Sequence, residues 1–106
     1  MESNQVRVSL KKSFTAFVFS AKEVLKQFDT VEIHALGEAA TNAVKAADTL
    51  VSLGYASFER FDTLTINEAD HTDVMRRRFK IIIELKKTPD FDQLYEEFSK
   101  KKAIPK

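Results

Sequence analysis

The chain has no cysteine, which excludes disulfides and cysteine-ligated zinc or iron–sulfur sites. Glycine and proline are scarce, with two of each in 106 residues. With so few breakers, and with 43% hydrophobic and 31% charged residues, the composition is globular, and disorder is expected only at the ends. No apolar run reaches the length of a bilayer span, so no membrane association is expected. The opening Met1-Glu2-Ser3-Asn4-Gln5 is polar and lacks the apolar centre of a signal peptide. The expectation is a soluble protein of the cytoplasm, the nucleus or both. A large charge imbalance is also lacking: 17 Lys and Arg stand against 16 Asp and Glu, a net charge of +1. Bulk charge therefore does not mark a nucleic-acid binder, and only local clusters could. The length suits a single domain, residues 1–106, that buries its core without staples.

Periodicity supplies the elements. Val6, Val8 and Leu10 alternate with Arg7 and Ser9, the period of a half-buried strand. Ser13 stands as N-cap of a helix from Phe14 to about Phe28, with Phe14, Phe17, Val18, Ala21, Leu25 and Phe28 on its buried face and Phe19 off that stripe. Val31, Ile33 and Ala35 alternate with Glu32 and His34 in a second strand, which puts His34 at the surface or rim. Gly37 opens a second helix that runs to about Leu53 and ends at Gly54. Its many alanines suit either tight packing on a sheet or a contact between subunits. Tyr55 to Asn67 reads as a long third strand whose alternation breaks, with Phe58, Leu64 and Ile66 in one phase and Phe61 in the other. A bulge near Arg60 would reconcile them. Glu68 to Met75 is a polar loop, and Phe79 to Lys86 is a fourth strand completing a long hairpin. Thr88 and Pro89 read as N-cap and first residue of a third helix over about 89–99, packing through Phe91, Leu94, Tyr95 and Phe98, with residues 100–106 fraying. The order is βαβαββ with an appended short C-terminal helix, an α/β domain of two layers built on a small mixed sheet.

Two basic clusters stand out on this frame. Lys11 and Lys12 sit side by side at the first strand-to-helix turn, and Arg76, Arg77 and Arg78 close the polar loop at or near the hairpin tip. Rigidly held cations bind phosphate through local surface charge, so nucleic acid is the leading partner. Arg7 and Lys80 are weaker candidates, because alternating strand positions naturally carry exposed charge. Asn42, in the first turns of the second helix, could donate to a phosphate. Acid gathers at Glu59, Asp62, Glu68, Asp70 and Asp73, which limits any basic face and moderates its affinity.

The same loop carries the alternative of an enzyme, since Asp62, Glu68, Asp70, His71 and Asp73 could hold a hard metal or run acid–base chemistry. They show no established ligand spacing and no buried setting that would tune a catalytic group. No phosphate-cradling glycine loop exists, and two histidines give no readable Ser/His/Asp set. The expectation is no enzyme, no metal and no cofactor.

The segment Val8-Ser9-Leu10-Lys11-Lys12-Ser13-Phe14-Thr15-Ala16-Phe17-Val18 resembles the strand–Lys–Lys–helix entry of Alba, the chromatin protein of archaea. Ala35-Leu36-Gly37-Glu38-Ala39-Ala40-Thr41-Asn42-Ala43-Val44 resembles the turn of that family into its second helix. With the long basic hairpin, the likeness spans residues 6 to 87, and the appended helix is similar to that of small Alba-like proteins of plants and protists. The resemblance implies a dimer of βαβαββ subunits, similar in fold to the C-terminal domain of bacterial translation initiation factor 3. It implies binding of DNA and RNA with little sequence preference, in chromatin, RNA metabolism or translation control, as a homodimer or with another Alba-like chain. Relatives that serve as ribonuclease P subunits make that an alternative, as is a dimerisation or scaffold module without nucleic acid. By position, Lys11 and Lys12 take the place of the family's central phosphate-binding lysines, and Arg76, Arg77 and Arg78 that of its hairpin-arm cations. Leu36 and Glu38 depart from the arginines that flank the glycine in archaeal members. Two cations lost and one anion gained put dense DNA coating in doubt and favour a weaker or RNA-directed role.

Overall fold

The computed structural model describes residues 4–69 and 72–103, with side chains as far as residue 97. Strands β1 (Gln5–Val8), β2 (Thr30–Leu36), β3 (Ala56–Ala69) and β4 (Met75–Lys87) form one four-stranded sheet in the order β1-β2-β4-β3. Helices α1 (Phe14–Gln27), α2 (Ala40–Ser52) and α3 (Phe91–Ala103) complete the expected β-α-β-α-β-β-α order. β1 runs parallel to β2, and the two other pairings are antiparallel, so the sheet is mixed.

Strand alternation sorts the side chains onto two faces. Val6, Ile33 and Ile83 share one row, and Val8, Ala35 and Ile81 the next, all buried beneath α1 and α2. Phe17, Val18, Ala21 and Leu25 of α1 meet them, as the helical spacing predicts, with Val24 added to the buried face and Phe14 and Phe28 partly buried. The alanines of α2 belong to this core: Ala43 and Ala46 are fully buried and Ala47 nearly so. They let the helix lie close on the sheet and on α1, and the apolar α2 side chain left exposed is Val44, not the alanine face.

The helix ends differ in detail from expectation. Ser13 holds the N-cap position of α1, but its hydroxyl makes no capping bond. Gly37 opens a 3-10 turn, Gly37–Ala39, that leads into α2. Gly54 closes α2 as expected: its N–H donates to the Val51 carbonyl and that of Tyr55 to Leu50, with Gly54 at φ +90. Thr88 does not cap α3. Its hydroxyl donates to the Gly54 carbonyl at 2.6 Å, tying the end of β4 to the end of α2, and the helix starts two residues past Pro89. α3 also runs on to Ala103 rather than stopping near 99; residues 104–106 and the side chain of Phe98 lie outside the described residues. Phe91 anchors it, fully buried edge-on to Tyr55 at 5.7 Å and stacked on Tyr95.

Beyond the pair Leu36↔Lys80, β4 has only β3 beside it. Thr65–Ala69 and Met75–Phe79 therefore form an arm that projects from the body, and the molecule with its arm measures 52 Å along its longest axis. The bulge expected near Arg60 is present as a register shift between Phe58 and Arg60. It reverses the phase of β3, so Phe58 joins Phe61 on the helix-bearing face while Leu64 and Ile66 turn to the opposite, open face.

Candidate nucleic-acid interface

The turn from β1 to α1 presents Lys11 and Lys12, both exposed. It is fastened from behind by Asn42 of α2, whose amide donates to the carbonyls of Ser9 at 3.2 Å and Lys12 at 3.4 Å. Asn42 thus points into the fold, with its donors on the turn.

Lys11 lines a groove of about 870 Å³ together with Ser9, Leu10, residues 36–41, Arg77, Arg78 and Phe79. Cations 66 residues apart in sequence, Lys11 and Arg77, therefore face one space. The 3-10 turn and first residues of α2 form its floor, so the positive end of a helix adds to the field there. Gly37 lies at φ +60, a conformation that favours glycine, with a guanidinium nitrogen of Arg78 3.5 Å from where a Cβ would stand. Lys12 lies just outside the lining, and Glu38 lies inside it, the one carboxylate in the groove.

The arginines lie near the hairpin tip, as expected, but not as one cluster. All three belong to the β4 side of the arm, where Arg76 pairs with Glu68, Arg77 with Asn67 and Arg78 with Ile66. Alternation splits them, Arg76 and Arg78 toward the open face and Arg77 toward the helix-bearing face. Arg78 has a loose contact with Glu68 at 3.8 Å, whereas Lys11, Lys12 and Arg77 have no ion-pair partner among the described residues. Arg7 and Lys80 lie apart from the groove, on the open face next to His34. His34 is more enclosed than a rim residue, with only 11% of its side chain exposed and its Nε2 3.1 Å from Glu32.

Among the described residues, the carboxylates of the enzyme alternative do not converge. Asp62 contacts Arg60 at 3.3 Å, Glu68 contacts Arg78, and Asp73 sits in the turn at φ 61. Asp70 and His71 lie outside the described residues, and no group of three or more metal-ligating side chains gathers among those described. No helix among them is long and apolar enough to cross a membrane.

Sequence reasoning missed an apolar surface. Phe58, Phe61 and Phe79 share the helix-bearing side of the hairpin, yet each stays about half exposed because no helix reaches them. Lys45 and Thr49 turn toward α1, so the exposed Val44 lies on the flank of α2 facing β3 and extends this patch. Its signal was the bulge, which once placed brings Phe58 and Phe61 into one phase.

Comparison with known proteins agrees with this geometry. The sequence matches the Alba family over residues 4–67. An uncharacterized protein of Arabidopsis thaliana is 33% identical over 97 residues, covering 88% of this chain and 73% of that protein. The crystal structure of ALBA1 from Trypanosoma brucei superposes with a TM-score of 0.81 at 26% identity, covering 96% of this chain and 84% of the other. Alba from Thermoplasma volcanium shares the fold, with a TM-score of 0.70 at 19% identity over 78% of this chain and 99% of its own. Alba proteins are in general non-enzymatic, dimeric binders of nucleic acid. With its fold, its Lys11–Lys12 turn and its projecting arm in this arrangement, the chain belongs to the Alba family.

Proposed function

We propose that this chain is a sequence-tolerant RNA-binding protein that grips the sugar–phosphate backbone as a dimer, in the cytoplasm or nucleus. The observation that carries the reading is the shared groove, in which Lys11, Arg77 and Arg78 face one space beside a helix N-terminus. A ribose–phosphate strand laid there meets fixed cations and no reader of base edges, which gives affinity without sequence choice. Lysine supplies a compact charge, and the arginine guanidiniums supply planar donors suited to phosphate and to stacking on unpaired bases. Glu38 inside the groove and Leu36 beside it weaken the field, which favours moderate affinity and RNA over plain duplex DNA.

The exposed Phe58, Phe61 and Phe79 on one face of the hairpin, with Val44 exposed on α2, support dimerisation, since exposed apolar side chains gathered on one face mark an interaction surface. Two copies joined there would carry two grooves and two arms.

A salt-dependent titration with duplex DNA, duplex RNA and single-stranded RNA of one length tests the reading. The expected result is tighter binding of RNA, with affinity falling linearly in log–log form as salt rises. Equal, salt-independent or absent binding would overturn it. Light scattering should show a dimer that Phe61→Asp converts to a folded monomer.

A further inference from the structure

The face of the sheet turned away from the helices carries a second, smaller concavity. Arg7, Val8, His34, Ala35, Leu36, Ile66 and Lys80 enclose about 280 Å³. That is a little below the roughly 300–1,000 Å³ of pockets for drug-sized ligands, a size suited to one flat ring system and its sugar. The pocket exists because of two features already described. The bulge turns Ile66 to the open face, and strand register sets Arg7 beside His34 and Lys80 beside Leu36.

Its charge is unbalanced in one direction. No carboxylate lines the pocket: Glu32 contacts the His34 ring at 3.1 Å, and Asp62 and Glu84 contact Arg60 at 3.3 and 3.5 Å, outside its lining. Arg7 and Lys80 have no ion-pair partner among the described residues. Two cations thus stand at the mouth of a pocket whose open-face apolar side chains are Leu36 and Ile66, those of Val8 and Ala35 lying in the core on the other face. The His34 ring, held by Glu32 at 3.1 Å, borders the pocket with 11% of its side chain exposed. Val8 and Leu36 also line the large groove, so the two spaces adjoin across the end of β2.

We propose that this pocket seats a single unpaired nucleobase of an RNA strand whose backbone lies in the groove, so that the protein favours RNA with bulged or single-stranded nucleotides. The inference rests on the RNA-binding reading above. The base stacks on His34 and packs on Ile66 and Leu36, while Arg7 and Lys80 meet the phosphates on either side of it. Bases held in a helix have no face to offer here, and an unpaired base does. Every base has such a face, so the seat selects for the absence of pairing and is tolerant of sequence.

The test uses three RNA duplexes that differ at one place: flush, with a single unpaired adenosine, and with the same bulge lacking its base. The unpaired adenosine should tighten binding about tenfold over the flush duplex, and removal of the base should abolish that gain. Ile66→Trp, which fills the pocket, should erase the preference while flush-duplex affinity stays the same; the base-less RNA gives the same answer on the unaltered protein should that variant misfold. The His34 ring signals should shift in proton NMR on adding the bulged RNA. Flush-duplex binding with no bulge preference, or a preference that survives loss of the base, would overturn this inference alone. Absence of binding to all three RNAs would overturn the RNA-binding reading with it. Displacement of the bulge preference by poly-glutamate that moves the same His34 signals would make the pocket a site for an acidic protein, and the base seat would fall.

Discussion

The side-chain amide of Asn42, on α2, donates to the backbone carbonyl of Ser9 at 3.2 Å. With its second bond to Lys12 it fixes the turn that presents the lysines, without itself reaching outward. Asn42→Ala should cost about 0.5–1.5 kcal/mol of stability, the net worth of ordinary hydrogen bonds. It should also speed amide exchange at Lys11 and Lys12 and weaken RNA binding less than loss of the lysines does. Urea denaturation, hydrogen exchange and a binding titration on the same variant check all three.

Replacing Lys11 and Lys12 with Glu should weaken binding to every sequence alike, because contacts to phosphate position a protein without reading bases. Each lost contact should flatten the log–log salt dependence by about 0.7 to 0.9. Stability should be nearly unchanged, since both side chains are exposed and neither has an ion-pair partner among the described residues. Unaltered affinity in a folded dimer would make the pair an ordinary solvated turn.

Glu38 is the groove's own opposing charge, and its removal should act in the reverse direction. Glu38→Arg exchanges an anion for a cation beside Gly37, the pattern of archaeal relatives, and should raise affinity for duplex DNA more than for RNA. Each new phosphate contact should steepen the salt dependence by about 0.7 to 0.9. An unchanged ratio of DNA to RNA affinity would show that Glu38 has no part in the preference.

Much of this was legible in the sequence because the elements are strongly periodic. Val6/Val8, Val31/Ile33/Ala35 and Ile81/Ile83/Leu85 alternate without interruption, and each was buried on the face that alternation gives. What escaped reading depends on partners distant in the chain. Thr88 has the residue type of a cap, but the Gly54 carbonyl offers its hydroxyl a better-placed acceptor. Asn42 looks like a phosphate donor until the β1–α1 turn is folded against it. The arginine triplet reads as a single cluster, whereas extending β4 back to Met75 splits it between two faces. His34 looks exposed by phase, yet Glu32 contacts its ring and it shares a pocket with Arg7, Lys80 and Ile66, which the bulge in β3 turns to that face.

The hydroxyl of Tyr95 on α3 donates to the carboxylate of Glu23 on α1, with the Lys26 ammonium 4.7 Å from the ring centre. That hydrogen bond, then burial and the charge of Glu23 raise the Tyr95 pKa above its usual 10.0. An acid whose folded pKa is raised contributes stability that is complete below the unfolded value and is lost as pH climbs through the folded one. At neutral pH, Tyr95→Phe should therefore be less stable by about 1 kcal/mol. The gap should close above pH 10, as the unaltered protein ionises Tyr95 and repels Glu23. Tyr55, whose pKa is also raised, mainly by burial and further by Glu97, titrates in both proteins and cancels in the comparison. Denaturation curves between pH 7 and about pH 11 read this directly, and a constant gap would mean that the bond to Glu23 does not form in solution.

The arm should be separable from the body. Residues 66–69 and 75–78 pair only with each other, while the sheet proper closes at Leu36↔Lys80 and buries its core short of that point. Deleting Glu68 through Arg78, so that Ile66 and Asn67 become the turn between Thr65 and Phe79, removes no core residue and should leave the fold intact. The aromatic patch also survives, because Phe58, Phe61 and Phe79 remain, so the dimer should persist. Arg77 and Arg78 leave the groove, however, and Lys11 faces an open slope in place of a cleft. Binding to RNA should then fall further than binding to DNA, because planar guanidiniums serve stacking on unpaired bases as well as phosphate. Light scattering and thermal melting check the first two outcomes, and paired titrations with single-stranded RNA and duplex DNA the third. An equal loss on both ligands would remove the arm as the source of RNA preference, and no loss on either would take it out of the site.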